Sequence, residues 1–138
     1  MFDQEIEYSQ AENVEEAETI HFNPNVILDI QSLKEIEKLL EDVPNSNIVL
    51  DFWAEWCGHC KAFSPVFEEL HRNFSDDFIF AKVNVGKDDR ISYRYKITSI
   101  PTYMIIKNGT LAYKRAGTVD YSRLKELLER YRSFRHNF

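Results

Sequence analysis

From Val26 onward the apolar residues of this chain alternate between strand-like runs and helical spacing. Val26 to Ile30 is a strand-sized apolar run, and Gln31 to Glu41 carries Leu33, Ile36 and Leu40 on one helical face. Pro44-Asn45-Ser46-Asn47 breaks that pattern. Ile48 to Trp53 is apolar except for Asp51, which predicts a strand covered on both faces. Gly58 to Phe74 is the longest helical stretch, with Phe63, Val66, Phe67, Leu70 and Phe74 at helical spacing. Pro65 lies inside it and is expected to kink it, because the ring removes the bond to the Lys61 carbonyl. Phe78 to Val85 reads as a strand and Asp88 to Tyr95 as a short helix. Thr102 to Lys107 and Leu111 to Arg115 flank Asn108-Gly109, a hairpin signal. Leu124, Leu127, Leu128 and Tyr131 define a final amphipathic helix.

The order is therefore strand, helix, strand, helix, strand, helix, strand, strand, helix. Early alternation implies parallel crossovers, and the closing hairpin adds an antiparallel edge. An α/β fold follows, with a mixed central β-sheet and helices on both faces. Residues 1–25 are acidic and poorly patterned, and are expected to be a flexible arm, with Ala11 to Ile20 able to form a short helix. Residues 26–138 form the domain.

The 138 residues, 43% hydrophobic and 14% aromatic, suit one globular domain with a real core. A formal charge of −6 argues against a nucleic-acid binder, which would show a basic face. The first eighteen residues contain Asp and Glu but no Lys or Arg, and the chain's end carries Arg130, Arg132, Arg135 and His136. Solvated tails explain both ends more simply than partner docking. The apolar runs are too short to span a bilayer as a helix. Met1 to Glu18 lacks a basic start followed by an apolar run, so no signal peptide is expected and a cytoplasmic location is favoured. The periplasm or the endoplasmic reticulum lumen is the alternative if a signal has been removed. The sequons Asn73-Phe74-Ser75 and Asn108-Gly109-Thr110 read as accidents.

The candidate chemistry is Trp56-Cys57-Gly58-His59-Cys60. These are the only cysteines, so a framework of structural disulfides is excluded. Placed where a strand hands over to a helix, the two sulfurs can meet within one turn. Cys57 would lie at the helix N-terminus, where free N–H groups and the macrodipole favour a thiolate. Cys60, one turn further in, would be shielded and placed to attack a mixed disulfide. His59 would favour the thiolate of Cys57 and so make the pair more oxidising. Gly58 supplies backbone freedom at the turn. Half of a zinc site is the competing reading, but His21, His59, His71 and His136 show no zinc-like spacing from the pair.

Val49-Leu50-Asp51-Phe52-Trp53-Ala54-Glu55-Trp56-Cys57-Gly58-His59-Cys60-Lys61 resembles the active-site strand and turn of the thioredoxin family. One departure is His59, where thioredoxins have proline; Cys-Gly-His-Cys is the form typical of protein disulfide isomerase domains. The resemblance covers roughly Val26 to Tyr131 and implies the thioredoxin fold. It also implies that Ile100-Pro101-Thr102 holds a cis proline facing the cysteines, and that Asp51 is a buried acid relaying a proton for Cys60. By the same resemblance Lys82 is the strand lysine near that acid, Trp56, Gly58 and Gly117 line a substrate groove with Ile100 and Pro101, and Trp53 and Phe52 are core.

The resemblance thus implies thiol–disulfide exchange with protein substrates that carry disulfides or thiols, through the Cys57–Cys60 pair. No cofactor, metal, nucleic acid or membrane is expected to take part. The protein is expected to be a monomer, served by a redox partner that is a reductase or an oxidase. The direction of exchange is left open: Asp51 and Ile100 point to thioredoxin, His59 to the isomerases. The alternative is a peptide-binding module of the same fold in which redox activity is secondary.

Overall fold

The computed structural model describes residues 25–132. The helix expected within 11–20, nearly all of the acidic arm, and residues 133–138 lie outside the described residues. The elements are β1 (Leu28–Ile30), α1 (Leu33–Asp42), β2 (Asn47–Trp53), α2 (Gly58–Phe74), β3 (Ile79–Asn84), α3 (Asp89–Tyr95), β4 (Thr102–Lys107), β5 (Thr110–Ala116) and α4 (Tyr121–Arg132). Among the described residues no helix is long and apolar enough to cross a membrane.

One five-stranded sheet runs in the order β1-β3-β2-β4-β5. β3 pairs in parallel with β1 and β2, while β4 is antiparallel to both β2 and β5. The reversal of direction thus falls beside the central strand β2, one strand further in than the expected antiparallel edge. Asn108 and Gly109, at φ 53° and 79°, form the hairpin between β4 and β5.

β2 is the centre of the molecule because nearly every side chain on it is buried. Ile48, Leu50 and Phe52 face a core completed by Ile36 and Leu39 of α1 and Ile91 of α3. Val49 faces the opposite core, built from Phe63, Phe67 and Leu70 of α2, Phe80, Tyr103 and Leu127 of α4. Side chains alternate along a strand, so Asp51 shares the side of Val49, beneath α2.

α2 runs as one helix through Pro65. Phe63, Phe67, Leu70 and Phe74 are all buried on it. At roughly 1.5–3 kcal/mol for each such side chain, their burial outweighs the roughly 3 kcal/mol of an interior proline. Most boundaries fall within a residue of those expected, and two elements start two residues late. β1 begins at Leu28 rather than Val26, which is exposed. The inner face of α1 is centred on Ile36 and Leu39, with Leu33 and Leu40 partly buried at its margins, and the helix starts two residues later than expected. Ser32 sets that start: its side chain accepts the Glu35 N–H at 3.1 Å, while Glu35 Oε1 accepts the Gln31 N–H.

Candidate active site

β2 delivers the chain to a turn in which the Cys57 N–H donates to the Ala54 carbonyl at 3.2 Å. Cys57 is extended, at φ −98° and ψ 109°, and forms the N-cap of α2. Its Sγ accepts the backbone N–H of Cys60 at 3.1 Å, satisfying one of the free donors of the first turn. The two sulfurs are joined in a disulfide with the Cα atoms 5.3 Å apart. Cys57 is 7% exposed and Cys60 2%, so the first sulfur is the more open to an incoming partner.

The loop before β4 meets this pair. The Ile100 carbonyl oxygen lies 3.8 Å from Cys57 Sγ, and the Ile100–Pro101 bond is cis. The Thr102 hydroxyl donates to the Ser99 carbonyl at 2.7 Å and pins the loop. The Pro101 carbonyl accepts the Gly117 N–H at 2.8 Å. Gly117 has φ +100°, a conformation that favours glycine, and the space where its Cβ would point is empty. Cys57, Ile100, Pro101 and Gly117 are therefore contiguous, with Cys57 and Pro101 buried. Trp56 stands beside them, 76% exposed, at the mouth of a groove of about 420 Å³. Val85, Gly86, Ser92, Ile97 and Ile100 line that groove with it.

Gly58 is the first residue of α2, lies outside the positive-φ region and has open space around its Cβ position. The backbone freedom expected of it is not demanded by this geometry. His59 is exposed beside it on the first turn.

Asp51 is fully buried, and neither carboxylate oxygen has a hydrogen-bond partner among the described residues. Burial pushes its carboxyl up to about 7, against the opposing pull of the Lys82 charge. Lys82 is in register beside it on β3. Its ammonium is engaged elsewhere: Nζ donates to Ser64 Oγ at 3.1 Å and lies 4.7 Å from the centre of the Trp53 ring. Ser64 is the residue that the sequence reading missed. It lies four positions after Cys60, one turn along α2, and its contact with Lys82 depends on how α2 crosses β3.

The sequons are taken up by structure: Asn73 donates to the Tyr121 hydroxyl at 2.7 Å, and Asn108 sits in the hairpin turn. Among the described residues no three His, Cys, Asp or Glu side chains are placed to hold a metal ion.

A vicinal cysteine pair capping a helix, closed as a disulfide and set against a proline loop, has one evident chemistry: it takes up and gives back two electrons by exchange with other sulfurs. The chain is a thiol–disulfide oxidoreductase. The family model for thioredoxin matches residues 28–130. The chain is 41% identical over 100 residues to a thioredoxin of Mycoplasmoides gallisepticum, covering 72% of this chain and 97% of that one. It is 36% identical over 102 residues to a thioredoxin of Mycoplasma genitalium, covering 74% and 97%. The crystal structure of Schistosoma mansoni thioredoxin superposes with a TM-score of 0.72 at 31% identity, covering 79% of this chain and 98% of that one. The chain belongs to the thioredoxin family.

Proposed function

We propose that the protein exchanges its dithiol with disulfides of other proteins through a mixed disulfide on Cys57. In the reduced protein the Cys57 thiolate attacks one sulfur of the substrate disulfide, and the other substrate sulfur leaves as a thiolate and takes a proton. Cys60 then loses its proton towards Asp51 and attacks Cys57 Sγ. The Cys57–Cys60 disulfide forms, the second substrate thiol is released, and two electrons have passed to the substrate. A redox partner, by this reading a dithiol reductant, returns the pair to its starting state.

The observation that carries this reading is the position of Cys57 Sγ, capping α2 and accepting the Cys60 N–H at 3.1 Å. The same donor and the helix macrodipole would stabilise a thiolate there. The Ile100 carbonyl at 3.8 Å works the other way, since it favours a thiol that can donate to it. The groove between Trp56 and Ile100 supports polypeptide substrates, which would lie beside the Pro101 loop and Cys57. The family resemblance supports a cytoplasmic site of action, which fractionation of the source cells tests.

His59 supports a pair more oxidising than thioredoxin, because a cationic or donating imidazole near the sulfur stabilises the reduced dithiol. Equilibration in glutathione buffers gives the potential of the Cys57–Cys60 couple. The expected value lies above the thioredoxin figure of about −270 mV, towards the isomerase figure of about −180 mV. A value at or below −270 mV, on the scale of about 30 mV per 1.4 kcal/mol, would remove His59 from the role of tuner.

A further inference from the structure

Lys82 and Asp51 are side by side on adjacent strands, yet they share no hydrogen bond. The lysine Nζ is held from the α2 side, by Ser64 Oγ at 3.1 Å and by the Trp53 ring at 4.7 Å. The Ser64 hydroxyl, having accepted from Lys82, directs its own proton to Glu68 Oε2 at 3.4 Å. A hydroxyl placed so accepts from the cation and donates to the anion at once, which orients it and fixes the ammonium. Both oxygens of Asp51 stay without a partner although a cation stands on the neighbouring strand.

We propose that Ser64 is a positioning residue: it tethers the Lys82 ammonium away from Asp51 and thereby keeps the buried acid able to hold a proton. The inference rests on the proposed use of Asp51 as the proton acceptor for Cys60. Without the tether the flexible lysine stem is free to bring its charge against the carboxylate, a buried acceptor without a partner on the adjacent strand. An opposite charge at contact distance lowers a carboxyl pKa by about 1–3 units, which would make Asp51 a weaker base for the Cys60 proton and less able to hold it near neutrality. The other charged and titratable groups around the pair are accounted for. Asp29 of β1 is in register with Lys82 and is exposed, and Tyr103 of β4 is in register with Asp51. Arg115 of β5 and Arg123 of α4 act on Tyr103, and Glu68 is the exposed partner of Ser64 itself.

The test is the titration of Asp51 in the oxidised full-length protein, followed by the carboxyl resonance of ¹³C-labelled aspartate. Oxidised protein is used so that no cysteine titrates with it. Ser64→Ala is expected to lower the midpoint by about one pH unit. Ser64→Thr, which keeps the hydroxyl, is expected to leave it in place. On a Lys82→Gln background, Ser64→Ala is expected to shift nothing. A midpoint that is unchanged or raised in Ser64→Ala overturns the proposal. So does a shift that persists without the lysine, or a threonine variant that behaves as alanine does. Failure of the underlying relay would show elsewhere, as an Asp51→Asn protein whose exchange rate keeps the wild-type pH profile.

Discussion

Leu33 and Asp88, 55 positions apart, are joined by a hydrogen bond in which the Leu33 N–H donates to Asp88 Oδ2 at 2.8 Å. The same carboxylate caps α3 by accepting the Arg90 N–H at 3.1 Å, and it pairs with the Arg90 guanidinium at 2.9 Å. One side chain thus secures the N-termini of two helices that cover the same face of the sheet. The Arg90 guanidinium first, and the Leu33 N–H second, hold its carboxyl well below the usual carboxylate range.

Removing that carboxylate should loosen α1 and α3 together. Asp88→Ala is expected to lower the thermal midpoint at neutral pH by several degrees, while exchange activity at room temperature is retained. Because the folded acid is more acidic than the unfolded one, its contribution is complete above the unfolded pKa of 3.8 and is lost as pH falls below it. The gap between wild type and variant should therefore close in strong acid. A gap that stays constant down to the lowest pH at which the fold survives would mean that the charge of Asp88 is not what matters.

Asp51 has the opposite sign. Its carboxyl titrates at 3.8 in the unfolded reference and is pushed up to about 7 in the fold by burial. Between those values the folded protein holds a proton that the unfolded chain has released, so stability falls as pH rises through the window and levels off above it. A gap of that width corresponds to roughly 4 kcal/mol. Asp51→Asn, which cannot ionise, is expected to escape this loss. Urea unfolding at about pH 4 and about pH 8 should show wild type losing on the order of 4 kcal/mol relative to the variant. Parallel pH dependences would show that the carboxylate is not desolvated.

The two cysteines should separate cleanly. Cys60→Ser leaves Cys57 to capture a substrate sulfur with nothing to release it, so a mixed disulfide should accumulate and survive non-reducing electrophoresis. Cys57→Ser should capture almost nothing, since Cys60 is the more deeply buried. Capture by Cys60 in the second variant at the rate of Cys57 in the first would reverse the assigned roles.

His59→Pro is expected to shift the potential of the pair towards the thioredoxin figure of about −270 mV. Proline is tolerated in the first turn of a helix, where the N–H it lacks has no intrahelical partner, so the fold should be kept. A potential that does not move would place the tuning in the surroundings of Cys57, with the helix N-terminus and the Ile100 carbonyl as the remaining influences.

Element types were legible because the apolar positions of β2, α2 and α4 repeat at unambiguous periods, and because Asn108-Gly109 suits only a tight hairpin. The cysteine pair, Pro101 and Asp51 could be named from local pattern together with family resemblance. Three things could not be read so directly. The placement of β4 directly against β2 depends on pairing between strands some fifty residues apart. The link from Asp88 to Leu33 joins two caps that each look purely local. The hold of Ser64 on Lys82 needs α2 to lie across β3, which no periodicity of either element states. The start of α1 is a different kind of miss: Ser32-Leu33-Lys34-Glu35 carries a visible capping signal that fixes the boundary two residues later than apolar spacing alone suggested.

Among the described residues the sheet ends at β1 and β5, and both are poor templates for another chain. β1 offers only three residues of backbone. β5 is longer, but a register irregularity interrupts its pairing with β4 at Ile105/Ile106, and it carries Lys114 and Arg115. Short length, a bulge and positive charge are the devices by which a sheet resists edge-to-edge growth. Strand pairing with other chains is thereby disfavoured along both flanks, away from the surface around the sulfurs.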